Sequence, residues 1–351
     1  MHRILITGGT GFIGSHTCIS LLSEGYDLFV IDSLKNSSKK SLEKVKEIFK
    51  KDNKDISSNL SFFKGDLKNK EFIDNIFKES HQDGNPIKGV IHFAGLKAVA
   101  ESVTKPLLYW NNNVLGSYNL IKSMEENKCR TIVFSSSATV YGNTSKDLLR
   151  EDALLAPTNP YGTTKLTVEN LLNDVYQNIN ENWKIAILRY FNPIGAHKSG
   201  LIGENPLQKP NNIFPIIINS AYTKEKLKVF GNDWPSKDGT CIRDYIHVMD
   251  LAEGHLKSLN YLFENDPQLL TLNIGKGRGI SVIELIKTFE NVNKISVPFE
   301  FDKRRDGDVC QLVADNSKLK FILNWSPAKS LEQMCIDGWK WKNLNPKGYS
   351  K

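Results

Sequence analysis

The sequence predicts an α/β protein in which a doubly wound parallel sheet is followed by a smaller C-terminal α/β domain. Apolar runs of strand length alternate with helix-period segments from residue 3 to residue 188, which is typical of a parallel sheet covered by helices. The first of these strands leads directly into a glycine-rich turn. From about Asn192, Gly and Pro become frequent and the strands shorten. We therefore expect domains at 1–190 and 191–351, with part of 240–263 packing back on the first domain.

The glycine-rich turn, Thr7–Gly14, lies between a predicted strand at Arg3–Ile6 and a helical stretch at Ser15–Ser23. Because glycine lacks a Cβ atom, such a turn lets backbone N–H groups approach a pyrophosphate at the helix N-terminus. A second strand, Leu28–Asp32, ends in a carboxylate 18 residues after the last glycine, close to the ~20 expected for a ribose ligand. This order of elements predicts a Rossmann-type dinucleotide site.

Asp32 also indicates which dinucleotide binds. A carboxylate that faces the adenosine ribose accepts hydrogen bonds from its hydroxyls and repels a 2′-phosphate. The sequence therefore favours NAD over NADP as the cofactor.

The first domain continues as an alternation of helices and strands. The predicted helices are Ser41–Lys51, Lys70–Glu79, Pro106 to about Lys128, and roughly Tyr161–Ile179. The predicted strands are Leu60–Lys64, Val90–Gly95, Thr131–Phe134 and Lys184–Leu188. Beyond Asn192, Asp250–Leu262 is a strongly amphipathic helix.

Tyrosine is followed by lysine four residues later at three places, so that phenol and ammonium lie one helical turn apart: Tyr118/Lys122, Tyr161/Lys165 and Tyr222/Lys226. Only Tyr161 lies downstream of a serine run, Ser135–Ser137, at the end of a buried strand. Open α/β sheets bind ligands at the carboxyl ends of their strands. A nearby cation favours the phenolate, and a serine hydroxyl can donate to a developing alkoxide. We therefore expect Tyr161 to be a catalytic base and the other two pairs to be helix surface.

The net charge of +7 is spread along the chain. The densest lysine cluster, Lys35–Lys54, alternates with acidic residues at helical spacing, which indicates a solvated helix face. A mild positive field suits a nucleotide-diphosphate substrate, and no nucleic-acid partner is expected.

The five cysteines are scattered without paired spacing, and no His/Cys cluster indicates a metal. Such a set suits a reducing compartment. No signal peptide precedes the glycine turn and no stretch reaches 18 apolar residues, so the expectation is a cytoplasmic protein without a membrane partner.

Taken together, the motifs resemble the UDP-glucose 4-epimerase (UDP-galactose 4-epimerase) family of extended short-chain dehydrogenases/reductases, over essentially the whole chain. Its glycine spacing is Gly8-x-x-Gly11-x-x-Gly14. The other blocks that carry the resemblance are His92–Val99, Ser135–Gly142, Asn159–Lys165, Arg189–His197, Phe230–Asp233 and Asp238–Leu251.

The resemblance implies a role for each matching residue. Tyr161 is implied as the catalytic base, Ser137 as its hydroxyl partner, and Lys165 as the residue that tunes Tyr161 and holds the nicotinamide ribose. The implied NAD contacts are Gly8, Gly11, Phe12, Ile13, Gly14, Asp32, Asn36, Ser37, Asp66, Leu67, Phe93, Ala94, Gly95, Lys97, Asn112, Ser135, Tyr161, Lys165 and Tyr190. The implied UDP-sugar contacts are Lys97, Ser137, Tyr161, Asn192, Asn212, Phe230, Arg243, Tyr245, Arg305, Asp308 and Leu312.

The implied reaction is reversible inversion at C4 of UDP-galactose and UDP-glucose through a 4-keto sugar, with NAD tightly bound, in a homodimer. Three alternatives stay open. A nucleotide-sugar 4,6-dehydratase would need an acid pair after the serine run, where this chain has Ala138 and Thr139. The others are a dehydrogenase that consumes NAD and a non-catalytic NAD-sensing module.

Leu312 bears on the range of sugars. In the family, the matching residue borders the C2 substituent of the hexose: a Tyr there excludes an N-acetyl group, and a small residue admits it. Because Leu is of intermediate size, we expect UDP-glucose and UDP-galactose as main substrates and slower turnover of UDP-N-acetylhexosamines.

Overall fold

A computed structural model describes residues 2–53, 55–143, 148–178, 181–206, 210, 212–305 and 308–349. The strands are β1 Arg3–Thr7, β2 Asp27–Asp32, β3 Leu60–Lys64, β4 Ile87–His92, β5 Thr131–Ser137, β6 Lys184–Tyr190, β7 Asn192–Ile194, β8 Leu227–Phe230, β9 Ile242–His247, β10 Leu269–Ile274, β11 Gly279–Ser281, β12 Phe299–Asp302 and β13 Gln311–Leu312. The α-helices are α1 Phe12–Ser23, α2 Lys40–Lys51, α3 Lys70–Gln82, α4 Val99–Thr104, α5 Pro106–Tyr109, α6 Gly116–Glu126, α7 Pro160–Gln177, α8 Ile213–Thr223, α9 Val248–Glu264, α10 Val282–Asn293, α11 Ser317–Leu323 and α12 Leu331–Leu344.

The chain divides into two compact units. The first contains residues 1–142, 154–189 and 252–272, and the second contains 143–153, 190–251 and 273–351. The chain therefore passes back and forth between the two units. Most of helix α9 belongs to the first unit.

The large sheet has seven strands in the order β10-β6-β5-β4-β1-β2-β3. β1 pairs in parallel with β2 on one side and with β4 on the other, so the strand order reverses at β1. The predicted doubly wound α/β fold is confirmed. In such sheets the ends of the strands at the reversal point are the place where ligands bind.

Two predictions about this sheet need correction. The seventh strand, β10, was not predicted as part of it, because its apolar run lies far downstream and only non-local pairing places it beside β6. Strand β4 ends at His92, three residues before the predicted end. The Phe93 N–H still donates to the Thr7 carbonyl at 3.0 Å, but the Ala94 N–H turns to the Thr7 side chain.

Helix boundaries also differ from those predicted. The single helix expected from Pro106 to Lys128 consists of α5, a π-helical turn at Trp110–Leu115, and α6, which ends at Glu126. Lys128 has a left-handed φ of 56°, which an α-helix does not accommodate. The predicted end of the next long helix, Ile179, lies outside the described residues, and α7 ends at Gln177.

Each unit has its own apolar core. In the first unit the core lies between the sheet and helices α3, α6 and α7, around side chains such as Phe77, Leu120 and Leu172. In the second unit it joins α8, α10 and α12 to β9, around Phe214, Phe289 and Tyr245. Among the helices of the described residues, none has the length and apolarity to cross a membrane.

Asn159 determines where α7 begins. Its side-chain Oδ1 accepts a hydrogen bond from the Gly162 N–H at 2.9 Å, and Pro160 occupies the first helical position. An Asn cap followed by Pro is a strong start signal, because the cap satisfies a free N–H and Pro lacks one. The cap therefore fixes the first turn of the helix that carries Tyr161 and Lys165.

We expect Asn159→Ala to lower the free energy of unfolding by about 1 kcal/mol, since the first turn of α7 would lose its side-chain acceptor. Urea denaturation followed by circular dichroism measures the change. Asn159→Asp keeps the acceptor and is the matched control. Equal stability of the Ala and Asp variants would show that the cap contributes nothing.

Candidate functional site

The glycine turn is so tight that its first and last glycines cannot carry side chains. Gly8 has φ +72°, and a Cβ there would lie 2.7 Å from the Ala94 nitrogen. A Cβ on Gly14 would lie 2.4 Å from the Gly8 carbonyl oxygen. The N-cap of α1, Gly11, offers no side-chain acceptor, so the N–H groups at Phe12 and beyond remain available. This cradle fits the pyrophosphate of NAD.

Asp32 lies at the end of β2, directly beside the glycine turn. Its Oδ2 accepts the Thr10 N–H at 3.2 Å, and its Oδ1 accepts the Leu34 N–H and the Ser37 hydroxyl, both at 2.9 Å. The Thr10 hydroxyl donates in turn to Ser37 at 2.7 Å. The carboxylate is thus held rigidly, and the lone-pair site left on Oδ2 can accept a ribose hydroxyl.

The other residues implied around the adenosine, Asn36 at its ribose and Asp66 and Leu67 at its adenine, differ in their exposure. Asn36 is exposed, whereas Leu67 is buried. Asp66 accepts a hydrogen bond from Lys35 Nζ at 2.7 Å and from the Lys68 N–H at 3.0 Å. Burial raises the pKa of Asp66, but these donors outweigh it and hold the pKa below its usual value. Asp66 therefore stays ionised at neutral pH.

The loop after β4 brings Phe93, Ala94 and Gly95 beside the glycine turn, since the Ala94 N–H donates to Thr7 Oγ1 at 3.3 Å. Lys97, farther along this loop, is exposed.

The π-helical turn holds this loop, through a residue that the sequence analysis missed. Asn113 accepts the Leu96 N–H at 2.8 Å and donates to the Leu96 carbonyl at 3.0 Å and to Thr164 at 3.1 Å. The predicted cofactor residue Asn112 instead donates to its own helix, at the Leu108 carbonyl. The run of three Asn residues was the available signal, but its sequence does not show which of them faces inward.

Tyr161 and Lys165 lie on α7 against the end of β5, and both are buried. Lys165 Nζ donates to the Ser135 carbonyl at 2.7 Å and lies 5.0 Å from the centre of the Phe134 ring. Burial lowers the pKa of Lys165 to about 8. Burial raises the pKa of Tyr161, and its hydrogen bond with Ser137 acts in the opposite direction. The structure thus brings together the three residues predicted to act in catalysis.

Lys165 lies close enough to His92 for its charge to lower the pKa of the imidazole ring. Its Nδ1 is 2.6 Å from Thr7 Oγ1, and its Nε2 is 2.7 Å from Ser117 Oγ. Because Ser117 donates to the Asn113 carbonyl, His92 donates through Nε2 and accepts through Nδ1. Burial and the Lys165 charge lower the pKa of His92 to about 3, so the ring stays neutral beside the ammonium.

The other two Tyr/Lys pairs have a different environment. Tyr118 is 50% exposed and Tyr222 is 46% exposed, against 9% for Tyr161. Their exposure agrees with the expectation that both are surface tyrosines.

In the second unit, two strands place predicted UDP-sugar residues side by side. Leu312 on β13 is paired in parallel with Arg243 on β9, so their side chains project from the same face. Arg243 Nη1 donates to the Ile242 and Val309 carbonyls at 2.8 and 2.9 Å, which orients its guanidinium.

Arg305 lies over the Phe230 ring, 3.8 Å from its centre, while its neighbour Arg304 stacks on Trp234 at 3.9 Å. The Asp308 N–H donates to the Arg305 carbonyl at 3.2 Å. A guanidinium held by stacking has a fixed plane, which suits bidentate binding of phosphate oxygens.

The remaining predicted residues lie on β6, β7 and β9 and at the start of α8. Asn192 on β7 pairs with the buried Tyr245 on β9. Asn212 is the N-cap residue of α8, and its side chain donates to Glu204 at 3.4 Å. Tyr190 ends β6. Within the described part of the chain, no group of three or more His, Cys, Asp or Glu residues is arranged to hold a metal ion.

Comparison with known proteins identifies the family. A UDP-glucose 4-epimerase of Bacillus subtilis (strain 168) is 50% identical to this chain over 347 residues, which cover 99% of the chain and 98% of that protein. The chain belongs to the UDP-glucose 4-epimerase family. The sequence profile described as GDP-mannose 4,6 dehydratase also matches, over residues 5–337. The recognition of the family from its motifs is therefore confirmed.

Solved structures of UDP-glucose 4-epimerases have the same fold. The enzyme of Bifidobacterium longum in complex with NAD+ and UDP superposes with a TM-score of 0.91 at 40% identity, and covers 99% of this chain and 100% of that chain. The UDP-Glc/GlcNAc 4-epimerase of Campylobacter jejuni gives a TM-score of 0.82 at 34% identity, with coverage of 98% and 100%. The expectations of an NAD-dependent epimerase and of NAD as its cofactor are confirmed.

We expect Asp32→Ala to weaken NAD binding by about tenfold or more and to narrow the preference for NAD over NADP, because a charged acceptor and a repulsive charge are lost together. Calorimetric titration of cofactor-stripped protein measures both dissociation constants.

Asp52→Ala removes the same charge from an exposed position and is the matched control. If Asp32→Ala preserved the ratio of the two constants, another residue would select the cofactor.

Proposed function

We propose that this chain inverts C4 of UDP-hexoses with Tyr161 as the base, Ser137 as the hydrogen-bond donor to the sugar oxygen, and Lys165 as the cation that favours the phenolate. The main support for this proposal is that these three side chains are buried together where α7 meets the end of β5. In this reaction Tyr161 removes the 4-hydroxyl proton and returns it after the sugar has turned. The glycine cradle and Asp32 would hold NAD, which would supply the acceptor and the donor for the C4 hydride.

The charges around Tyr161 support this role. Burial raises the pKa of its phenol, so removal of the phenolic proton needs positive charge nearby. Lys165 supplies that charge, since a pKa of about 8 keeps most of it protonated at neutral pH. The neutral His92 leaves this ammonium without a competing cation.

We propose a division of labour in which residues 1–190 bind NAD and residues 191–351 bind the UDP-sugar. The glycine cradle and Asp32 support the first half. The oriented guanidinium groups of Arg243 and Arg305 support the second, because a diphosphate binds well to paired arginines. Tight binding of UDP and weak binding of the hexose allow the 4-keto sugar to rotate, so that its other face meets the cofactor.

The five cysteines are all free thiols in the structure, and three of them are buried. This use of cysteine supports a reducing compartment, and we propose a cytoplasmic location.

The decisive experiment is incubation of the purified protein with UDP-galactose and no added NAD. An epimerase yields UDP-glucose without net reduction, a dehydrogenase releases NADH, and a dehydratase yields a 4-keto-6-deoxy sugar. Failure to form UDP-glucose even after NAD is supplied would reject the proposal.

Tyr161→Phe should lower kcat by at least about 100-fold, because the base is missing, while the fold and bound NAD are kept. Tyr118→Phe, at an exposed tyrosine with the same lysine spacing, is the matched control and should retain activity. Steady-state rates and the NAD content of the denatured proteins are measured. Loss of activity in the Tyr118 variant alone would transfer the assignment to that pair.

Leu312→Tyr should lower the activity on UDP-N-acetylglucosamine relative to UDP-galactose by about tenfold or more, since the phenol fills space beside Arg243. The measured quantity is the ratio of the two kcat/KM values. Gln311→Tyr is the control, because alternate strand residues project to opposite faces. A change of the ratio in the Gln311 variant only would place the gate at that residue.

We also propose a homodimer formed through the segment α4–α6. Its exposed apolar side chains include Val103, Leu107, Leu115 and Tyr118, with exposed fractions from 43% to 82%. Light scattering should give about twice the chain mass of 39.7 kDa, and Leu107→Lys should reduce it toward one chain. Phe321→Lys, at an 88% exposed residue on α11, is the control. A single-chain mass for the parent protein would reject the dimer.

A further inference from the structure

Behind the proposed catalytic residues, a buried cluster links α7 to β5 and β6. The Glu169 carboxylate accepts hydrogen bonds from Arg189 Nη2 at 2.6 Å and from Arg189 Nε at 3.1 Å. It also accepts a hydrogen bond from the Ser136 hydroxyl. Arg189 Nη1 donates to the Tyr141 phenolic oxygen at 3.2 Å. Glu169 and Arg189 are only 4% and 5% exposed.

An ion pair in such a position needs an explanation beyond stability. Well-packed apolar residues often replace buried ion pairs without loss of stability, because both charges must leave water. In this cluster, burial lowers the pKa of Arg189, but the hydrogen bonds and the charge of Glu169 outweigh it and raise the pKa. The Arg189 guanidinium therefore stays charged inside the first unit.

The cluster includes residues of both segments that carry the proposed catalytic residues, helix α7 and the end of strand β5. Glu169 follows Lys165 by four residues, so both side chains lie on the same face of α7. Ser136 lies between Ser135, whose carbonyl receives the Lys165 ammonium, and Ser137, which is hydrogen-bonded to Tyr161. A movement of Glu169 would therefore shift α7 against β5 where the two meet at the reacting groups.

We propose that Glu169, clamped by Arg189 and Ser136, is a positioning residue for the epimerisation: it holds Lys165 in place and keeps it charged beside Tyr161. This inference rests on the proposed function, because it concerns the residues that the mechanism uses. It assigns to the buried pair a catalytic purpose that no motif in the sequence indicates.

The electrostatic surroundings of Lys165 support the proposal. On its own helix, Glu169 faces it and Tyr161 lies one turn before it, and from β4 the neutral His92 faces it. From β5, the Phe134 ring and the Ser135 carbonyl contact it. Burial lowers the pKa of Lys165 and the Glu169 charge raises it, so Glu169 is the anionic group that opposes the loss of the proton.

The test is Glu169→Gln, with kcat for UDP-galactose measured against pH. Without the carboxylate charge, Lys165 loses its proton at lower pH. We therefore expect the alkaline limb of the profile to move down by about half a pH unit or more, with KM within about twofold of the parent value. The acetylation rate of Lys165 by acetic anhydride, followed by peptide mass spectrometry without substrate, should show the same downward shift.

Two further variants separate charge from packing. Glu169→Asp keeps the charge and should keep the parent limb. The double variant Glu169→Gln/Arg189→Met removes both charges, so it folds without an unpaired guanidinium, and its limb should still lie below that of the parent. Glu126→Gln, on the surface of α6, is the control for loss of a carboxylate and should not change the profile.

The outcomes distinguish this inference from the proposed function. A parent protein without epimerase activity contradicts the function itself. If the parent is active but the single and double variants have the same pH profile and the same Lys165 acetylation as the parent, the proposed role of Glu169 is overturned. Lower stability with an unshifted limb in the double variant also overturns it, since the cluster would then be only structural.

Discussion

The proposed chemistry of this chain depends on burial of the Lys165 ammonium one helical turn from the Tyr161 phenol. A charge removed from water is unfavourable unless fixed dipoles replace the solvent. The Ser135 carbonyl and the face of Phe134 supply that replacement, and His92 avoids repulsion by staying neutral. These partners belong to β4 and β5, whereas the lysine belongs to α7. Helix and sheet must therefore pack against each other before the buried ammonium has the partners that replace water.

The reversal of strand order at β1 imposes a second constraint on the same unit. Since β1 lies between β2 and β4, the loops that follow β1 and β4 meet at one edge of the sheet. Backbone from these loops approaches so closely that a methyl group on Gly8 would collide with Ala94. The glycine turn is therefore adapted to its neighbouring loop as well as to a phosphate.

Local features of the sequence predicted much of this molecule. The glycine turn, Asp32 and the Tyr161/Lys165 pair could be recognised because their chemistry depends on fixed spacing within a few residues. The seventh strand, β10, could not be placed, because its partner β6 is distant in sequence. The Glu169–Arg189 pair and the contacts of Asn113 were missed for the same reason. Polar residues that pair across different helices and strands have no regular spacing in the sequence by which they could be recognised.

The π-helical turn at Trp110–Leu115 has a consequence for how this chain tolerates length changes. A π-turn is equivalent to one extra residue inserted into an α-helix. Each residue of an α-helix advances the side chains by about 100° around the axis, so loss of that residue would rotate all of α6 relative to α5. Asn119, which donates to the Leu67 and Lys68 carbonyls, would then point elsewhere. A deletion at this turn is therefore a change of helix phase, and its damage would reach the far end of α6.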